Sequence, residues 1–67
     1  MAAYKKIEIV GTSKESVAEA IRAAVAEAGK TVRNMSWFEV AEVRGAIKSN
    51  KVSEFQVTVR IGFKVEE

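Results

Sequence analysis

Trp37 is the only tryptophan in this 67-residue chain, and it stands where a ring-binding surface would need it. On an open sheet face an indole offers a flat platform for a ring ligand, and Gln56 offers both an amide donor and a carbonyl acceptor to a ring edge. The same indole could instead be partly buried against long neighbouring side chains or serve as a subunit contact, and the pattern alone leaves these readings open. Arg44 precedes Gly45, which sets a cation beside a residue without a side chain, where an anion can approach the backbone. Lys6, Arg60 and Lys64 are able to meet a phosphate, although such charges on small domains are commonly solvated surface. Gly11-Thr12-Ser13 ahead of a helix could hold an anion on free amides. The run lacks the P-loop pattern, and helix capping is the simpler reading.

Other chemistry is excluded by composition. Without Cys there is no disulfide, thiolate nucleophile or cysteine metal site, and without His the usual general base is missing. Glu39 and Glu42 lie close in sequence but have no His or metal partner, and the serines have no base. No catalytic constellation emerges, so the chain is not read as an enzyme. Eleven basic against nine acidic residues leave a net charge of +2, with the signs interspersed. A single-stranded nucleic-acid-binding module would use an open sheet face with an aromatic residue, but it would also need a concentrated basic stripe. The apolar stretches are too short for a membrane span or signal peptide, so a soluble cytoplasmic protein is expected, with no membrane or nucleic-acid partner.

The elements that position these residues follow from periodicity. Residues 4 to 10 alternate imperfectly, with Lys5, Ile7 and Ile9 on one side, and read as a strand that Gly11-Thr12-Ser13 breaks. Thr12 precedes Glu15 by three residues, a capping-box spacing, which predicts a helix start there. Within 13 to 29, Val17, Ile21, Ala24, Val25 and Ala28 share a helical face, and six alanines keep the helix thin enough for close approach by a sheet. Gly29 supplies the stop.

Two long segments then flank Lys48-Ser49-Asn50-Lys51 and predict a β-hairpin. In the second, Phe55, Val57, Val59, Ile61, Phe63 and Val65 alternate with Gln56, Thr58, Arg60, Gly62 and Lys64. In the first, Phe38 and Val40 differ in parity from Val43 and Ile47. An extra residue near Ala41 or Glu42, a β-bulge, returns Val43 and Ile47 to the core face and leaves Trp37, Glu39 and Arg44 on the other. The expectation is a single α+β domain over residues 1–67: β-α-β-β, a three-stranded antiparallel sheet with one helix packed on one face. At this length, apolar burial and ordering cost nearly cancel, which points to oligomerisation.

With these elements placed, the sequence resembles the dodecins, small flavoproteins of bacteria and archaea, over essentially its whole length. The resemblance is carried by Ile-Glu-Ile-Val-Gly-Thr-Ser at 7–13, Asn-Met-Ser-Trp-Phe-Glu-Val at 34–40, Val-Arg-Gly at 43–45, Phe-Gln-Val at 55–57 and Ile-Gly-Phe at 61–63. It implies a hollow homododecamer that stores flavin at subunit interfaces, two flavins stacking between symmetry-related tryptophans. It maps the stacking tryptophan onto Trp37, the flavin-contacting glutamine onto Gln56, and a bacterial-type arginine favouring flavin mononucleotide (FMN) over riboflavin onto Arg44. Excited-state quenching by the tryptophan, and hence photoprotection, would follow. Some bacterial relatives also bind coenzyme A, for which Lys6, Arg33 and Lys64 are candidate phosphate partners. A ligand-free assembly protein, with Trp37 as an interface anchor, is the remaining alternative.

Overall fold

The computed structural model describes residues 2–65; Met1, Glu66 and Glu67, the ends of the expected domain, lie outside the described residues. Its elements are β1 (Tyr4–Ser13), α1 (Val17–Ala28), β2 (Met35–Lys48) and β3 (Lys51–Lys64). The sheet has the order β1-β3-β2 with both pairings antiparallel, so the expected architecture holds and β3 is the central strand. The uninterrupted alternation of β3 suits that position: Val57, Val59 and Ile61 point under the helix and are fully buried.

β1 runs three residues further than its composition suggests. Gly11 does not break it. A Cβ at Gly11 would run into the Ala20 carbonyl oxygen and the Ala24 side chain, so the missing side chain lets β1 pass beneath α1. The helix start moves correspondingly. Ser13 Oγ accepts from the backbone N–H groups of Glu15 at 2.9 Å and Ser16 at 3.3 Å, and turns the chain out of the strand. Ser16 is the N-cap, its Oγ accepting from Glu19 N–H at 3.0 Å. The cap is therefore Ser16 with Glu19, not Thr12 with Glu15. At the other end Gly29 caps α1 in a right-handed conformation, and the left-handed residue of the connection is Asn34.

The contact line of α1 is Ala20, Ala24 and Ala28, all buried; Val17, Ile21 and Val25 flank it and are only partly covered. An alanine ridge brings the helix close to β1 and β3; of β2, Met35 packs against this core while Phe38, Val40 and Val43 are left exposed. The hairpin turn places Ser49 and Asn50 both at positive φ, 52° and 64°, the backbone of a two-residue turn whose twist matches the strands.

The bulge predicted near Ala41 is present. Val40 pairs with Val59 and Glu42 with Thr58, leaving Ala41 as the extra residue, and Val43 then faces across from Val57. Val43 does reach the helix side of the sheet, but nothing covers it there. Phe38, Val40 and Val43 remain 50%, 42% and 54% exposed because α1 sits over the other two strands. Ile47, beyond a further register shift at Ala46/Ile47, is also exposed and is not a core residue of the single chain.

Candidate functional site

The face opposite α1 is ordered in rows across the three strands. Register sets Lys6, Gly62 and Trp37 in one row, then Glu8, Arg60 and Glu39, then Val10, Thr58 and Glu42, then Thr12, Gln56 and Arg44. The Ala41 bulge is what keeps Trp37 and Arg44 on the same face; without it seven intervening steps would put them on opposite sides.

Trp37 is fixed by an absence beneath it. A Cβ at Gly62 would overlap three ring atoms, Cε2, Cζ2 and Cη2, at nearly equal distances. An edge-on ring would meet that Cβ with one atom well ahead of its neighbours, so the six-membered ring lies face down over the glycine. Gly62 is buried under it, while the indole is 41% exposed. The ring crosses the central strand and meets Tyr4 of β1, with 5.1 Å between centroids and 53° between planes. One indole face is thus against the main chain, and the other is turned outward.

Charges occupy the next row. Lys6 Nζ donates to Glu39 Oε1 at 2.5 Å, and Arg60 Nε donates to Glu8 Oε2 at 3.0 Å. The Lys6 hydrogen bond and its positive charge, with a smaller contribution from Arg60, hold the Glu39 carboxyl below the ordinary carboxylate range. At the far end Gln56 Nε2 donates to Glu54 Oε1 at 3.0 Å, and the Gln56 side-chain oxygen makes no hydrogen bond among the described residues. Arg44 is paired across from Gln56 in the strand register, is exposed, and makes no side-chain hydrogen bond or ion pair among the described residues.

Gln56 and Arg44 are therefore together, but Trp37 is not with them. From Gln56 to Gly62 along β3 is about 20 Å at a strand's rise per residue. A single copy of the chain does not bring Trp37 and Gln56 to one small ligand.

The other sequence candidates are dispersed as well. Lys6 is engaged with Glu39 on the open face, whereas Arg33 and Lys64 line a shallow recess of about 370 Å³ with Lys5, Thr31 and Asn34 at one end of the sheet. Gly11, Thr12 and Ser13 are strand residues and do not form a helix N-terminus with free amides. Among the described residues no group of three or more acidic side chains is placed to hold a metal ion, and no helix is long and apolar enough to cross a membrane.

Three contributors escape a reading of residue types. Gly62 matters through the space it leaves, Tyr4 through a contact across two strand spacings, and Glu54 through its hold on Gln56. The available signal was positional: once Trp37 is aligned with Gly62 in the hairpin, the only residue small enough to lie under an indole is already in place.

A family profile described as Dodecin matches residues 3–66. A curated dodecin from Thermus thermophilus is 53% identical over 64 residues, which span 96% of this chain and 93% of that protein. A solved Thermus thermophilus structure superposes with a TM-score of 0.96 at 51% identity, covering 100% of this chain and 98% of the other. Dodecin from Streptomyces coelicolor gives a TM-score of 0.94 at 44% identity, covering 98% and 94% respectively.

Proposed function

The chain belongs to the dodecin family of small flavin-binding proteins, and from that premise we propose that it stores flavin, with FMN its preferred form, between Trp37 side chains at the boundaries of a homododecamer. The observation that carries this reading is the outward face of Trp37 over Gly62. A ring system laid on that face gains roughly 1–3 kcal/mol from stacking, by analogy with bases on aromatic side chains. A second indole from a symmetry-related copy closes the sandwich.

The separation of about 20 Å between Gln56 and the Trp37 row makes the site composite. In this reading one copy supplies the indole, and another supplies the Gln56 carbonyl oxygen to a ring N–H, with Arg44 next to it for the side chain or phosphate. Glu54 fixes the amide in the orientation that presents that oxygen. The flavin supplies a light-absorbing, redox-active ring. Trp37 would hold that ring on its outward face, where the indole could lend the excited ring an electron and recover it, so that the ligand would return to its ground state without turnover. Storage and photoprotection are the roles this reading gives the bound ring.

Assembly has its own support. Phe38, Val40 and Val43 form an apolar strip that the chain's own helix leaves uncovered. A groove of about 540 Å³ runs between Phe38 of this strip and Ile21, Arg22 and Val25 of α1. Burying this strip against further copies provides the apolar area that a chain of this size lacks by itself. Four carboxylates on the open face, Glu8, Glu39, Glu42 and Glu54, weigh against a nucleic-acid backbone there. Coenzyme A is a weaker extension, with Lys5, Arg33 and Lys64 around the end recess as its phosphate partners. The test is FMN titrated with excess protein: flavin fluorescence is expected to be quenched, and retained fluorescence would overturn the reading.

A further inference from the structure

Tyr4 stands apart from the residues that build the core. It opens β1, pairs with Lys64, is 48% exposed, and its hydroxyl makes no hydrogen bond among the described residues. Its distinguishing contact is the Trp37 ring, at a centroid separation inside the range favoured by aromatic pairs. β1 and β2 are not neighbours in the sheet. About 10 Å, two strand spacings, separates them, and only a long side chain crossing an empty position on β3 can close the gap. Trp37 crosses at Gly62, and Tyr4 receives it on the far side.

We propose that Tyr4 is a positioning residue for the Trp37 platform, a side wall that holds the indole flat on Gly62 before any ligand arrives; the proposal rests on the flavin-stacking reading. The 53° between the two planes bears on this role. Tyr4 is too inclined to extend a parallel stack with a ligand lying on Trp37, so it acts on the indole and not as a second platform. Removing it leaves the exposed ring free to lift from Gly62 and rotate about its side-chain torsions. Ligand binding must then order an indole that the wild-type chain keeps ordered.

The cost of immobilising one such side chain corresponds to about a 2- to 12-fold loss of affinity. It is read in the full chain with wild type, Tyr4→Phe and Tyr4→Ala, using FMN as the probe. Trp37 is the sole tryptophan, so its fluorescence anisotropy decay in the ligand-free protein reports the platform directly. Wild type and Tyr4→Phe are expected to show a ring that tumbles only with the particle, and equal FMN affinity. Tyr4→Ala is expected to show a fast local depolarisation and the weaker binding, with unchanged sedimentation. Wild-type affinity and anisotropy in Tyr4→Ala would overturn the proposal, as would a Tyr4→Phe chain that behaves like Tyr4→Ala. If Tyr4→Ala does not assemble, the wild-type decay decides, since fast local motion of Trp37 there contradicts a fixed platform. Failure of the flavin reading is separately visible, because FMN would then remain fluorescent with the wild-type protein whatever the anisotropy shows.

Discussion

The indole of Trp37 occupies the volume that a side chain at Gly62 would fill. Neither residue alone makes a platform. A tryptophan on an ordinary strand leans against its neighbours' side chains, whereas this one lies on main chain, because the hairpin register brings a glycine beneath it.

Substituting Gly62→Val tests that relationship. Valine is a good strand residue, so the sheet is expected to form, and the exposed indole can swing outward instead of straining the core. Flavin affinity is expected to fall by about 10- to 100-fold, the loss of one stacked face, while the thermal midpoint changes little. Calorimetric titration beside a melting curve separates the two effects, and wild-type affinity in the variant would show that the seat is unimportant.

Val43→Lys addresses assembly. The position is 54% exposed on the single chain, so a monomer would tolerate lysine at almost no cost. If further copies cover the strip, burying an ammonium there is prohibitive, and sedimentation should show small species in place of a shell. A full-sized particle with lysine at this position would place the interface elsewhere.

Protonation offers an independent check on the row beside the platform. Because Lys6 holds Glu39 below the ordinary carboxylate range in the folded chain, the pair stabilises fully above that range and its contribution fades as pH falls through the lowered Glu39 pKa. With side chains 51% and 44% exposed the effect on stability is small, so the direct readout is a carboxyl NMR titration. In Lys6→Met the Glu39 midpoint should move upward; an unmoved midpoint would contradict the ion pair.

Sequence pattern carried the fold further than the site. Parity alone located the bulge to Ala41 or Glu42, because Phe38 and Val40 cannot share a face with Val43 in a regular strand, and register then identifies Ala41. Gly11-Thr12-Ser13 misled for a physical reason: a glycine accommodating the Ala20 carbonyl has the same letters as one ending a strand, and only the helix above it tells them apart. Helix placement over β1 and β3 was also hidden, since an apolar residue on the helix side reads as core whether the cover comes from its own chain or from another. The three candidates Trp37, Gln56 and Arg44 share the expected face, yet their division between the two ends of that face appears only once register is known.

That division gives the most direct experiment. Trp37→Ala and Gln56→Ala chains, each poor in FMN quenching when assembled alone, are unfolded together and refolded into mixed shells. If one copy provides the indole and a different copy the amide, some mixed sites regain both groups, and quenching should recover to a fraction of the wild-type level. Mixed shells that quench no better than the two separate variants would mean that the pair does not act across a boundary between copies.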